Sequence, residues 1–146
     1  MFDTKRPYRR IEIDLLFTKI KAEMHTNALK RGGDGLALYI DCYTGKTLRG
    51  GDPYDYEHIR SAEEIYNKYK NQLTDLQIAE VVNCQENVGV TLSFINKSKG
   101  KSRMEVWLLS HLNKPEFEID INHTKATLNA ADSGIIKIVQ DIKFRF

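Results

Sequence analysis

Tyr54-Asp55-Tyr56-Glu57-His58-Ile59 and Glu86-Asn87-Val88-Gly89-Val90-Thr91-Leu92-Ser93-Phe94-Ile95-Asn96-Lys97-Ser98-Lys99-Gly100 decide how this 146-residue chain is read. The first stretch follows the breaker Gly50-Gly51-Asp52-Pro53 and is predicted to be extended. In the second, Thr91 to Lys99 is predicted to form a short helix with Leu92 and Ile95 inward, ending at Gly100. An acid next to a histidine carries little weight alone. With twenty acids and four histidines in the chain, chance supplies such a pair on the order of half the time. Position gives this pair its weight: it closes an extended segment, and a polar helix with an asparagine among lysines follows.

Hydrolysis of a phosphodiester needs water deprotonated on one side of the phosphorus and the departing oxygen stabilised on the other. Imidazole, with an ordinary pKa near 6.5, suits the first task at neutral pH. A magnesium-like ion suits the second and needs only one or two protein ligands, because it keeps waters and substrate oxygens. Neighbouring side chains on a strand diverge, so Glu57 and His58 can serve opposite sides of one phosphate. Asn96 on the following helix offers a second, neutral oxygen.

Around this centre the chain punctuates itself. Ile13, Leu16, Phe17, Ile20, Met24 and Ala28 recur at helical steps, predicting an amphipathic helix over 11–30 that ends at the glycines after Arg31. Leu36 to Ile40 reads as a short strand, followed by the turn-like Cys42-Tyr43-Thr44-Gly45-Lys46. This strand and the segment at Tyr54–Glu57 are expected to form a small antiparallel hairpin. Ser61-Ala62-Glu63-Glu64, Thr74-Asp75-Leu76-Gln77 and Ser102-Arg103-Met104-Glu105 each have the pattern of a capping box. The buried stripe of the first helix is Ala62, Ile65, Tyr66 and Tyr69, and the third opens a helix with Met104, Trp107, Leu108 and His111 on one face. In the tail, Phe117, Ile119 and Ile121 alternate like a strand. Ile135, Ile138, Val139 and Ile142 have helical spacing, while Ile142, Phe144 and Phe146 also alternate.

Taken in order, Cys42 to Lys46, Tyr54 to Ile59 and Asn87 to Gly100 resemble the signature of the HNH nucleases, the ββα-metal finger. The resemblance is to the HNH domains of RNA-guided CRISPR effectors and their transposon-encoded relatives. Those domains show a similar Cys-x-Tyr-Ser/Thr-Gly turn, an acid-His-Ile step and an Asn-x-x-x-Thr stretch before an Asn- and Lys-rich helix. It spans residues 36–105 and implies an α+β fold. A ββα finger would sit among helices, with a long N-terminal helix and a mixed α/β C-terminal tail, in one domain over residues 1–146.

By that resemblance His58 is the general base, Glu57 and Asn96 are ligands of one Mg²⁺ or Mn²⁺ ion, and Asn87 braces the loop that holds His58. Lys97, Lys99, Lys101 and Arg103 are implied to contact backbone phosphates. Three features depart from the family pattern. Cys42 belongs to no CxxC pair, so no structural zinc is expected; Asn96 stands where other members have histidine; and residues 60–84 form a longer, helical insertion. The implied activity is metal-dependent cleavage of DNA, with 5′-phosphate and 3′-hydroxyl ends. The alternatives are an inactive nucleic-acid-binding module and a nuclease active only with a partner protein.

Composition agrees with a soluble domain. Hydrophobic residues make up 41% and charged residues 29%, enough apolar material for one core and against global disorder. No apolar run approaches the ~20 residues that span a bilayer. The charged start Met1-Phe2-Asp3-Thr4-Lys5-Arg6 does not fit a secretory leader, so a cytoplasmic location without membrane contact is expected. Two cysteines, Cys42 and Cys84, exclude a disulfide scaffold. The net charge of +2 divides into +4 over residues 1–31, −5 over 32–90, +3 over 91–111 and zero beyond. Basic stretches around an acidic middle suit a phosphate backbone crossing a metal site. DNA is therefore the expected partner, with a homodimer as one route to cutting both strands.

Overall fold

The computed structural model describes residues 5–145, and within them the chain is α+β: six α-helices and two small antiparallel sheets of two strands each. Met1 to Thr4 and Phe146, the last of the alternating tail residues, lie outside the described residues. Helix α1 (Ile11–Gly32) follows the predicted stripe, with Ile13 and Ala28 fully buried. Strand β1 (Leu38–Ile40) pairs with β2 (Thr47–Arg49), not with the Tyr54 segment as expected. The turn at Cys42–Lys46 is short enough to fold β1 directly back on the chain, so the nearer partner wins at a smaller loop-closure cost.

Strand β3 (Tyr54–His58) pairs instead with β4 (Val88–Leu92) in antiparallel register, Asp55 opposite Thr91, Glu57 opposite Gly89 and His58 opposite Val88. Thr91 and Leu92, predicted to be helical, therefore end a strand. Helix α4 (Ser93–Lys99) begins one residue later and stops at Gly100, whose φ is 52°. The insertion between the paired strands forms α2 (Ala62–Tyr69) and α3 (Asp75–Val82). Ser61 accepts the Glu64 amide, and Thr74 and Gln77 complete both halves of a capping box. The box predicted at Ser102 does not form: Arg103 is the N-cap of α5 (Met104–His111), and no side chain caps it.

The tail departs most from expectation. A 3-10 turn at Pro115–Phe117 is followed by Glu118 in the left-handed region (φ 49°), which breaks the alternating run. Asp120 then caps α6 (Ile121–Lys143), a 23-residue helix where a mixed α/β tail was predicted. Its buried Ile135, Val139 and Ile142 join α2, α3 and Ile13 in one core cluster. A second cluster gathers Tyr43, Ile59, Ile95, Met104, Trp107 and Leu128, and a third Ala28, Tyr39, Leu48 and Val90. The β3–β4 ribbon lies between the second and third clusters, with Leu92 packed against both. Among the described residues no helix is long and apolar enough to cross a membrane.

Candidate active site

Alternation along β3 divides its side chains between two faces: Tyr54, Tyr56 and His58 on one, Asp55 and Glu57 on the other. Helix α4 covers the acidic face. Asn96 donates from Nδ2 to Asp55 Oδ2 at 3.0 Å, and Ser93 Oγ donates to Asp55 Oδ1 at 3.0 Å. One helical turn beyond Asn96, Lys99 Nζ stands 3.4 Å from Glu57 Oε1. The carboxylate that Asn96 meets is thus Asp55, and the group that α4 sets against Glu57 is Lys99.

Glu57 is buried, 6% exposed. The Tyr43 hydroxyl donates to Oε1, whereas Oε2 is the one buried side-chain oxygen or nitrogen among the described residues without a hydrogen-bond partner. Burial pushes the Glu57 carboxyl above the usual carboxylate range, opposed first by the Lys99 charge and then by Tyr43. Burial likewise pushes up the Tyr43 hydroxyl and the Cys42 thiol, so both stay protonated at neutral pH. Cys42 is a small buried member of the second core cluster. Gly89, opposite Glu57, makes the packing possible: a Cβ there would lie 2.8 Å from Ile59 Cδ1 and 3.0 Å from Cys42 Sγ.

The other face of β3 turns His58 toward α1. The Phe17 ring lies over the imidazole with centroids 4.2 Å apart, and Lys21 Nζ is 4.5 Å from the centre of the same Phe17 ring. His58 Nε2 is 2.9 Å from Asn83 Oδ1. Burial lowers the His58 pKa to about 4, so the imidazole is neutral at neutral pH.

Asn87 is fully buried and spends its whole side chain on the backbone. Its Oδ1 accepts the Arg60 amide at 2.7 Å, and its Nδ2 donates to the carbonyls of Arg60 at 3.1 Å and Val82 at 2.8 Å. Its own carbonyl accepts the Ile59 amide at 2.8 Å. The chain just after His58 is thereby clasped to the start of β4. Arg60 continues outward into paired hydrogen bonds with Glu105 of α5 and Asp132 of α6, at 2.7–3.0 Å.

Of the four cations predicted on or after α4, Lys97, Lys101 and Arg103 are exposed, and Arg103 pairs with Glu64 at 3.1 Å. Lys99 is a correction: at 4% exposure it faces inward to Glu57 and offers no ammonium to a passing phosphate backbone. Its spacing explains this, since three residues after Asn96 it shares that residue's inward helix face.

Several residues escaped the sequence reading. Asp55 stands two before Glu57 in a strand, which alone places both on one face. Asp41, 0% exposed, accepts from the Tyr43 and Thr44 amides, the Leu92 amide and the Thr91 hydroxyl, joining the Cys42–Lys46 turn to β4. Tyr43 and Asn83 carried no signal of their own, because their partners lie on other elements. No protein-family model, no curated protein and no solved structure matches the chain.

Proposed function

We propose that this protein is an HNH-type endonuclease that hydrolyses DNA phosphodiester bonds with His58 as general base and one divalent ion as electrophile. The observation that carries the reading is the unpartnered Oε2 of buried Glu57, on the strand face that α4 covers with Asn96. A buried, orphaned carboxylate oxygen costs free energy unless something meets it. The donors fit a hard cation, since Glu57 Oε2 and the carboxamide oxygen of Asn96 are both hard oxygens. Asp55 takes the Nδ2 end of that carboxamide and leaves its oxygen for another partner. When bound, Mg²⁺ or Mn²⁺ would neutralise charge on the phosphate and on the departing oxygen.

The chain's own residues supply the rest. His58 is neutral and would take the proton from water as general base, though burial makes it a weaker base than a free imidazole. Asn87 fixes the backbone that follows it, and the Tyr43 hydroxyl and Lys99 ammonium hold Glu57 Oε1 so that Oε2 is the free end. Exposed Lys97, Lys101 and Arg103 give the α4–α5 edge a positive surface suited to a phosphate backbone.

The test is plasmid nicking in Mg²⁺, Mn²⁺ and EDTA, with wild type and His58→Ala compared at matched melting temperature. Nicking that needs the metal and falls by about 10²–10⁴-fold in the variant is expected. Undiminished nicking by the folded variant, or none by wild type with either ion, overturns the proposal. One observation favours a second reading, a nucleic-acid-binding module that does not cut: the Lys99 ammonium already pairs with Glu57 at 3.4 Å. Salt-sensitive DNA binding without nicking in either metal would select it.

A further inference from the structure

We infer that Asn83 is the positioning residue for His58: it holds the imidazole as the Nε2–H tautomer and leaves Nδ1 as the basic nitrogen. The role of His58 as a base rests on the function proposed above; the tautomer itself follows from geometry alone. Asn83 is the C-cap of α3, 3% exposed, and its Nδ2 donates to two backbone carbonyls, Ile13 at 3.1 Å and Ala79 at 2.9 Å. Those partners fix which end of the amide is which. Turning it over would set its oxygen against two carbonyl oxygens and lose both of those hydrogen bonds.

The atom 2.9 Å from His58 Nε2 is therefore an oxygen, which can only accept. A neutral imidazole has one N–H, so that proton sits on Nε2 and the lone pair on Nδ1. Phe17 packs over the ring and limits its tilt. The same carboxamide ties the C-terminal end of α3 to α1 through Ile13, so the helix that covers His58 and the residue that orients it are joined. This device belongs to the 60–84 insertion, which thereby gains a purpose in the site.

The test uses the intact protein and three forms. In wild type, two-dimensional ¹⁵N–¹H NMR of the imidazole should show Nε2 protonated and Nδ1 as the unprotonated, pyridine-like nitrogen; the reverse pattern overturns the inference. Asn83→Leu removes the acceptor, so mixed tautomers and a fall in kcat of about 10²-fold are expected, with KM for plasmid little changed. Asn83→Asp keeps an acceptor toward Nε2–H and should keep the wild-type tautomer even if its stability falls. A folded Asn83→Leu protein with the wild-type NMR pattern also overturns the inference. If wild type nicks no DNA at all, the nuclease reading fails, and the NMR comparison still decides the role of Asn83.

Discussion

A carboxylate can be buried without cost to the fold only when donors replace its lost water, and Asp41 and Glu57 lie on opposite sides of that condition. Asp41 has four protein donors, three of them backbone amides, and its oxygens are fully met. Asp41→Ala would strand those donors in the interior. A loss of about 2–4 kcal/mol in urea unfolding is expected, with the denaturant slope unchanged. Glu57, by contrast, keeps one oxygen without a protein partner, and it is this oxygen that the proposed function gives to a divalent ion. His58 illustrates a third case. Its neutrality is imposed by burial, its orientation by Asn83, and neither follows from the residue type.

Among the elements, the insertion was the most legible and the strand pairing the least. Helices α2 and α3 announce themselves through Ser61 and Thr74, because a cap and an apolar stripe are local facts. The two caps differ in a testable way. Thr74 completes both halves of its box, whereas only the side chain of Ser61 bonds back, with Glu64 drawn instead to Arg103. Thr74→Ala should therefore cost about 1 kcal/mol or more, and Ser61→Ala somewhat less, in matched thermal melts. The tail shows how a local pattern misleads. Phe117, Ile119 and Ile121 alternate, yet Glu118 turns left-handed and Asp120 caps a helix, so no strand edge is there to receive them. Likewise, β1 and β3 each looked like half of one hairpin, but β1 found a nearer partner in β2 and β3 a more distant one in β4, across the helical insertion.

At the scale of the whole molecule, Arg60 links the end of β3 to α5 and α6. Only 4% of its side chain is exposed, against about half of Glu105 and Asp132. Arg60→Ala is expected to cost about 2–4 kcal/mol in chemical denaturation. Arg60→Lys should recover only part of this, because a single ammonium cannot replace the forked donors that reach both acids. The same link sets an acid limit. Arg60 holds the Glu105 carboxyl down to about 2, so its contribution is present in full above the ordinary 4.5 and is lost as pH falls toward 2. Melting temperature should drop through that interval, and Glu105→Gln should flatten this part of the curve.

The sequence alone determined what depends on near neighbours along the chain: the stripe of α1, the caps of α2 and α3, the extended run at Tyr54, the stop at Gly100 and the inward Ile95. It also brought out Glu57, His58, Asn87 and Asn96 as polar groups in a pattern worth following. Tertiary structure decided which of them meet. Asn96 turns to Asp55, Lys99 enters the core to reach Glu57, and His58 faces α1 and Asn83, all across elements far apart in the chain. The physical reason is that helix and strand periods fix the direction of a side chain, whereas its partner is fixed only when apolar faces close upon one another. That closure is set by the packing of all three core clusters together.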